Sequence, residues 1–157
     1  MIPVLEGRPV GTGRRVAVVV ARFNDFVTSR LQRSALQELV DCGVSPDDVD
    51  EIHVPGAFEL PLAARLAAGS GRYSAVVCLG AIIRGATPHF GFVAGECARG
   101  IAQVALETGI PTVFGVLTTD SAEQALERAG GASGDKGRDA ARVALEMADL
   151  VDAFRRG

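Results

Sequence analysis

The segment Arg84–Phe90, which reads RGATPHF, carries the residues of this chain that are best suited to chemistry. Gly85 permits unusual backbone angles, Thr87 is a residue type that caps helices, and Pro88 suits a first helical position. The segment is therefore expected to present unpaired backbone N–H groups at a helix N-terminus, where they and the helix dipole attract phosphate. The same field favours a neutral imidazole at His89 that accepts a proton, and a histidine that only caps or packs is the alternative.

Three phenylalanines are expected at or near the carboxyl ends of strands: Phe23, Phe58 and Phe114. An aromatic face there can stack on a flat ring, although core packing is the commoner role for any single phenylalanine. Three at one edge of a sheet favour the stacking role. Glu59 ends the sequence PGAFE, and its carboxylate can either accept hydrogen bonds from sugar-like hydroxyl groups or complement a helix N-terminus.

Other patterns match known motifs poorly. The Gly11–Gly13 pair precedes the first predicted strand, whereas the glycines of a dinucleotide site follow that strand and open a helix. The third predicted strand ends in Ile82, Ile83 and Arg84, without the carboxylate cluster of a phosphate receiver. His53 lies in the middle of a predicted strand and is assigned no role.

The cysteines and histidines do not form the pattern of a metal or redox site. Cys42, Cys78 and Cys97 include no CxxC pair and are interpreted as small buried hydrophobic residues. With only two histidines in the chain, a zinc site would depend almost wholly on carboxylates, which suit zinc poorly. We therefore expect no metal.

The composition is that of one folded domain. The chain has 157 residues, of which 48% are hydrophobic and 22% charged, and its net charge is −3. This charge gives no global field that would attract nucleic acid or an anionic membrane. No apolar run approaches the roughly 20 residues of a membrane span, and the N-terminus lacks the features of a signal peptide. We expect a single cytoplasmic domain over residues 1–157, without nucleic-acid or membrane partners.

Strand and helix patterns alternate along the chain. Apolar or β-branched runs predict four strands, at Arg15–Ala21, Val49–Val54, Ala75–Ile83 and Pro111–Leu117. Helical spacing predicts helices after the first three strands, over 27–43, Glu59–Ala68 and Pro88–Thr108. After the fourth strand we expect a short helix to Ala129 with a capping box of Ser121 and Gln124, a Gly-rich loop from Gly130 to Gly137, and an amphipathic helix ending near Phe154.

This order predicts the α/β class, with a four-stranded parallel sheet, doubly wound and covered by helices on both faces. Ligands of such sheets bind beyond the carboxyl ends of the strands, here in the loops Arg22–Asp25, Pro55–Glu59, Arg84–Phe90 and Thr118–Asp120. The first ten residues carry Ile2, Val4 and Leu5. They are expected either to add an edge strand to a neighbouring subunit's sheet or to form a frayed terminus.

Five segments in order resemble the lumazine synthase family: ARFND after the first strand, VPGAFELP after the second, GAIIRGATPHF after the third, FGVLTTD after the fourth, and EQALERAG with DKG near the end. The resemblance extends through nearly the whole chain. It implies the penultimate step of riboflavin synthesis, in which 5-amino-6-(D-ribitylamino)uracil and 3,4-dihydroxy-2-butanone 4-phosphate give 6,7-dimethyl-8-ribityllumazine, phosphate and water. It also implies that the reaction needs no metal or organic cofactor.

The resemblance implies a role for each matching residue. Phe23 would stack on the pyrimidine, and Phe114 would close that ring site from a neighbouring subunit. Two further segments would bind the rest of this substrate. The ribityl chain would be held by Ala57, Phe58 and Glu59, and the pyrimidine edge would be contacted by the backbone of Ala81, Ile82 and Ile83. The phosphate would be bound by Ala86, Thr87 and Arg128. His89 would transfer protons, and the charged pair Lys136 and Asp139 would orient Arg128.

One segment departs from the family pattern. The family usually has an acidic residue and then Tyr after the pair His-Phe, whereas this chain reads HFGFV, with Gly91 and Phe92. The missing carboxylate predicts a less firmly held imidazole at His89. A catalytically weakened member that serves mainly as a shell-forming or ligand-binding protein is therefore the alternative to an active enzyme.

The resemblance also implies small-molecule substrates and a homo-oligomer. The family forms pentamers, some of which associate into icosahedral shells, with active sites between adjacent subunits. The short loop AGGASGDKG lacks the insertion of members that remain pentamers, and therefore favours the shell. Riboflavin synthase is a further partner that the resemblance implies.

Overall fold

A parallel four-stranded sheet forms the centre of the protein in a computed structural model that describes residues 1–157. Its strands are β1 (Val16–Ala21), β2 (Val49–Val54), β3 (Ala75–Ile83) and β4 (Thr112–Thr119), in the order β2-β1-β3-β4. All neighbouring strands are parallel. The predicted fold class is confirmed, and the predicted bounds of β2 and β3 are those observed.

Five helices surround the sheet: α1 (Asp25–Asp41), α2 (Leu60–Gly69), α3 (His89–Thr108), α4 (Ala122–Glu127) and α5 (Lys136–Arg156). Helices α1 and α5 pack against each other on one face, and α2 and α3 on the other. The predicted cap of α4 is confirmed, because the Ser121 hydroxyl accepts a hydrogen bond from the Gln124 N–H at 3.2 Å. No helix has the length and apolar character needed to cross a membrane.

Strand β1 separates two hydrophobic cores. Val16, Val18 and Val20 face the core under α1 and α5, while the alternate residues Ala17 and Val19 face the core under α2 and α3. Every residue of β1 is buried, which is the reason that its sequence is uniformly apolar rather than alternating.

The prediction of a Gly-rich loop from Gly130 to Gly137 is wrong, because this segment has regular secondary structure. Residues Ala129–Gly131 (β5) and Gly134–Asp135 (β6) form a small antiparallel hairpin, and α5 begins directly afterwards at Lys136. Gly137 lies inside α5, where a Cβ would collide with the Leu31 carbonyl group of α1. The glycine therefore permits close packing of two helices rather than flexibility.

The N-terminal residues form neither a helix nor a strand, and Ile2, Val4 and Leu5 are exposed. From Gly7 onwards the segment lies against α5, because a Cβ on Gly7 would collide with the Glu146 carbonyl group and the Arg8 N–H donates a hydrogen bond to the Asp149 carboxylate at 2.9 Å. The six residues before Gly7 are all exposed.

Candidate active site

A cavity of about 260 Å³ opens at the carboxyl ends of β1 and β3. The helices that follow these two neighbouring strands, α1 and α3, lie on opposite faces of the sheet. Doubly wound sheets bind ligands at the point where neighbouring connections diverge in this way. The cavity is lined from four segments by Phe23, Asn24, Ala57, Ala81, Ile82, Ile83, Gly85, Thr87, His89, Phe90 and Val93. Seven of the predicted site residues are therefore brought together.

A second cavity of about 450 Å³ adjoins the first and shares Phe23, Ala57, His89 and Val93 with it. Its other lining residues include Phe58 and Glu59, so the two spaces form one continuous cleft. The aromatic rings in this cleft are unusually exposed, with Phe23 at 72% and Phe58 at 58%. Large apolar side chains left this open in a folded chain indicate a surface that a ligand or another subunit covers.

The loop between β3 and α3 presents free hydrogen-bond donors. The backbone N–H groups of Gly85, Ala86 and Thr87 have no partner within the chain. Helix α3 begins two residues later at His89, and its dipole adds positive character at the same place. Together these features suit an anion such as phosphate. Ala86 is exposed in this loop, although its side chain does not line the cavity.

The predicted cap of α3 is not formed. Pro88 occupies the cap position, and no side chain, including that of Thr87, accepts a hydrogen bond from the first turn. The N–H groups of Gly85, Ala86 and Thr87 therefore remain open to a ligand, while the Gly91 N–H in the first turn donates to the Pro88 carbonyl oxygen at 3.2 Å.

Asn24 is a site residue that the sequence analysis missed. It adopts a left-handed conformation with φ 64° and ψ 45° directly after Phe23, and its side-chain amide donates a hydrogen bond to the Ala81 carbonyl oxygen at 2.8 Å. Asn24 thus joins the ends of β1 and β3 and lines the cavity. The available signal was its residue type, because asparagine tolerates the left-handed region better than most residues.

Replacing Asn24 by Ala is expected to cost about 2–3 kcal/mol of unfolding free energy, from the left-handed strain together with the lost hydrogen bond. Asn24→Gly loses the hydrogen bond but adopts the backbone angles freely, so its expected cost is about 1 kcal/mol. Denaturant unfolding at one fixed protein concentration measures both. Equal costs for the two variants would contradict the importance of the backbone conformation.

Arg128, Lys136 and Asp139 line a different cavity, of about 330 Å³, near the end of β4. It shares no residue with the cleft that contains His89. The Arg128 guanidinium donates to the Gln124 carbonyl oxygen at 3.0 Å and lies 3.8 Å from a Glu127 carboxylate oxygen. Within one chain the predicted phosphate arginine and the predicted proton-transfer histidine therefore belong to separate surfaces.

The predicted position of Phe114 is wrong. It is the third residue of β4, opposite Cys78 of β3, and lies towards the amino end of the strand. Its half-buried ring packs against the core under α2 and α3. Because all strands are parallel, this position is remote from the carboxyl ends where Phe23 and Phe58 lie.

The cysteines offer no nucleophile to the cleft. Cys78 and Cys97 are buried as predicted, while Cys42 is only half-buried. Burial raises the pKa of the Cys97 thiol to about 12 and raises that of Cys78 as well. Both thiols therefore stay protonated and unreactive near neutral pH.

Comparison with known proteins identifies the family. The model of the family 6,7-dimethyl-8-ribityllumazine synthase matches residues 13–152. The chain belongs to this family. It is 52% identical to the 6,7-dimethyl-8-ribityllumazine synthase of Desulfotalea psychrophila (strain LSv54 / DSM 12343), over 96% of this chain and 97% of the relative. It is 54% identical to the protein of the same name from Syntrophus aciditrophicus (strain SB), over 96% of this chain and 98% of the relative.

Lumazine synthases are transferases of riboflavin biosynthesis. Helix geometry shows what the departure of this member from their pattern, at Gly91, means for His89. Gly91 is the third residue of α3, and successive helical residues turn by about 100°, so side chains at 89 and 91 point about 160° apart. Residues two positions apart on a helix do not face each other. Within one chain, a carboxylate at position 91 would therefore not hold the His89 imidazole, contrary to the expectation from the sequence.

Proposed function

We propose that this chain condenses 5-amino-6-(D-ribitylamino)uracil with 3,4-dihydroxy-2-butanone 4-phosphate to 6,7-dimethyl-8-ribityllumazine, releasing phosphate and water. The observation that carries this proposal is the cleft itself. It combines an exposed aromatic face, free N–H groups suited to phosphate, and a histidine, in a chain that belongs to the lumazine synthase family. One lumazine synthase domain would extend over residues 1–157.

In this proposal Phe23 stacks on the pyrimidine ring. The backbone of Ala81, Ile82 and Ile83 contacts the edge of that ring, and the ribityl hydroxyl groups bind at Ala57, Phe58 and Glu59. The supporting observation is that these residues line the two adjoining parts of one cleft. A stacked ring would also cover part of the aromatic surface that the isolated chain exposes.

The phosphate-bearing substrate would bind at Ala86 and Thr87, with its phosphate on the free N–H groups. The amine of the pyrimidine attacks the ketone carbonyl, and loss of one water gives an imine. Phosphate then leaves, and the ribitylamino nitrogen closes the ring onto the remaining carbonyl with loss of a second water. Each step moves protons, and His89 supports this role because it lines both parts of the cleft. The reaction then depends on placement and proton transfer, without a covalent enzyme intermediate, a metal or an organic cofactor.

We further propose that each site is completed by a neighbouring subunit, which supplies Arg128 and Phe114. Lys136 and Asp139 line the same cavity as Arg128 and would orient it. The separation of this cavity from the His89 cleft supports a site shared between chains. The expected assembly is a homopentamer, extended to an icosahedral shell of pentamers, with the first residues of each chain added to a neighbouring sheet.

Riboflavin synthase is the proposed protein partner, because it would consume the lumazine product. The proposed location is the cytoplasm. The three cysteines are all unpaired, which is typical of a reducing compartment.

A direct assay tests the proposed activity. The purified protein is mixed with both substrates, and formation of the lumazine is followed by its absorbance. Product formed well above the rate without protein supports the proposal. The absence of product, together with retained binding of the pyrimidine, would instead favour the shell-forming or ligand-binding alternative that Gly91 raised.

Gly91→Glu tests whether the missing carboxylate matters. A Cβ at this position has no heavy atom within 4 Å, so a side chain can begin here without a clash. Loss of a helical glycine is expected to stabilise the fold by about 0.5–1 kcal/mol, and an acid in the first turn adds about 0.3–1 kcal/mol. The pH profile of turnover is expected to stay unchanged. Gly91→Ala separates the helix effect from the charge, and a profile that shifts only in the Glu variant would show that position 91 reaches the imidazole.

A further inference from the structure

Arg84 joins three segments beside the cleft through its side chain and its backbone. Its Nε donates a hydrogen bond to the Asp120 carboxylate at 2.8 Å, and its guanidinium carbon lies 4.3 Å from the centre of the Phe90 ring. Its backbone N–H donates to the Thr119 carbonyl oxygen at 2.8 Å. Arg84 therefore connects the start of the 85–87 loop to the end of β4 and to the first turn of α3.

Asp120, the partner of Arg84, is itself held in place. Its backbone N–H donates to the Gln124 side-chain oxygen at 2.8 Å. The backbone carbonyl oxygen of Gln124 in turn accepts from Arg128 at 3.0 Å. A continuous series of contacts thus runs from Phe90, beside His89, through Arg84 and Asp120 towards Arg128.

The loop that Arg84 begins has little else to fix it. Gly85, Ala86 and Thr87 make no backbone hydrogen bonds within the chain, and no side chain caps α3. The position of their N–H groups therefore depends on the ends of the loop, at Arg84 and at the first turn of α3.

We propose that Arg84 is a positioning residue, which holds the 85–87 loop and the first turn of α3 in the arrangement that receives the phosphate of the butanone substrate. This inference rests on the proposed function. Arg84 does not line the cleft, and its guanidinium is occupied by Asp120 and Phe90, so it acts through the loop rather than on the substrate. A planar guanidinium can donate and stack at once, whereas a lysine ammonium cannot reproduce both contacts.

The role in positioning can be separated from a role in stability. The Arg84 and Asp120 side chains are 57% and 70% exposed, and exposed ion pairs contribute little to folding. Loss of the pair is therefore expected to leave the melting temperature nearly unchanged. A displaced loop would still weaken binding of the phosphate-bearing substrate.

The test compares Arg84→Gln, Arg84→Lys and Asp120→Asn with Arg99→Gln, which removes an exposed arginine of α3 outside the cleft. Arg84→Gln is expected to raise KM for the butanone phosphate roughly tenfold and KM for the pyrimidine less than about twofold, because small misplacements of bound groups are costly. Inhibition by inorganic phosphate should weaken in parallel. Arg84→Lys is expected to recover little of the lost affinity for the butanone phosphate. Adding Asp120→Asn to Arg84→Gln in a double variant is expected to raise this KM little further.

Several results would overturn the inference. Behaviour of Arg84→Gln like that of Arg99→Gln would exclude positioning, and full recovery in Arg84→Lys would show that charge alone matters. An equal rise in both KM values with a lowered melting temperature would make the residue merely structural. A wild-type protein that forms no lumazine in the same assay would overturn the proposed function as well, which distinguishes the two failures.

Discussion

Replacing His89 by Ala is expected to lower turnover by roughly ten- to a thousandfold, while substrate binding changes less. The imidazole lines both parts of the cleft, as Phe23 does, and His89 begins the helix that follows the 85–87 loop with its free N–H groups. Proton transfers occur in every step of the proposed condensation. Some turnover is expected to remain, because the condensation still proceeds slowly without the imidazole once both substrates are held together.

Steady-state kinetics with both substrates measure this effect. His53→Ala is the matched control, because His53 is an exposed histidine of β2 that lines neither part of the cleft. Unchanged turnover in His89→Ala would remove the proton-transfer role. A comparable loss in His53→Ala would point to a general effect of losing a histidine.

Subunits carrying His89→Ala and subunits carrying Arg128→Ala are expected to regain activity when they assemble together. The two residues line separate cavities within one chain, so a shared site would take one from each neighbour. In a random equal mixture, about one quarter of such sites would contain both wild-type residues. The mixture is therefore expected to reach up to about a quarter of wild-type activity, although each variant alone is far less active.

The matched control mixes His89→Ala subunits with subunits that carry both substitutions, which leaves no complete site. Light scattering on the same samples gives the assembly, since a species near 80 kDa corresponds to about five chains of 16.3 kDa and would exclude the shell. Mixed assemblies without recovered activity would show that each chain builds its site alone. A monomer that forms lumazine would have the same consequence.

Local patterns in the sequence predicted the four strands of the sheet, its helices and most of one site. The uniformly apolar run of β1 predicted a central strand because a strand buried on both faces has no polar side. Ser121 and Gln124 predicted the start of α4, because a capping hydroxyl satisfies N–H groups only two or three residues away. The loops after β1, β2 and β3 could be assigned to one cleft since parallel strands end at the same edge of a sheet. These signals are local, or follow from topology alone.

Which side chains meet depends on tertiary packing that these local patterns do not specify. Phe114 lies towards the amino end of β4 because pairing with β3 extends that strand to Thr119, two residues beyond its predicted end. Arg128 lies away from His89 because the β5–β6 hairpin and α5 place it in another cavity. The contacts of Asn24 with Ala81 and of Arg84 with Asp120 join residues 57 and 36 positions apart. Local sequence patterns specify strands and helices, whereas contacts over such separations depend on the register and packing of the whole sheet.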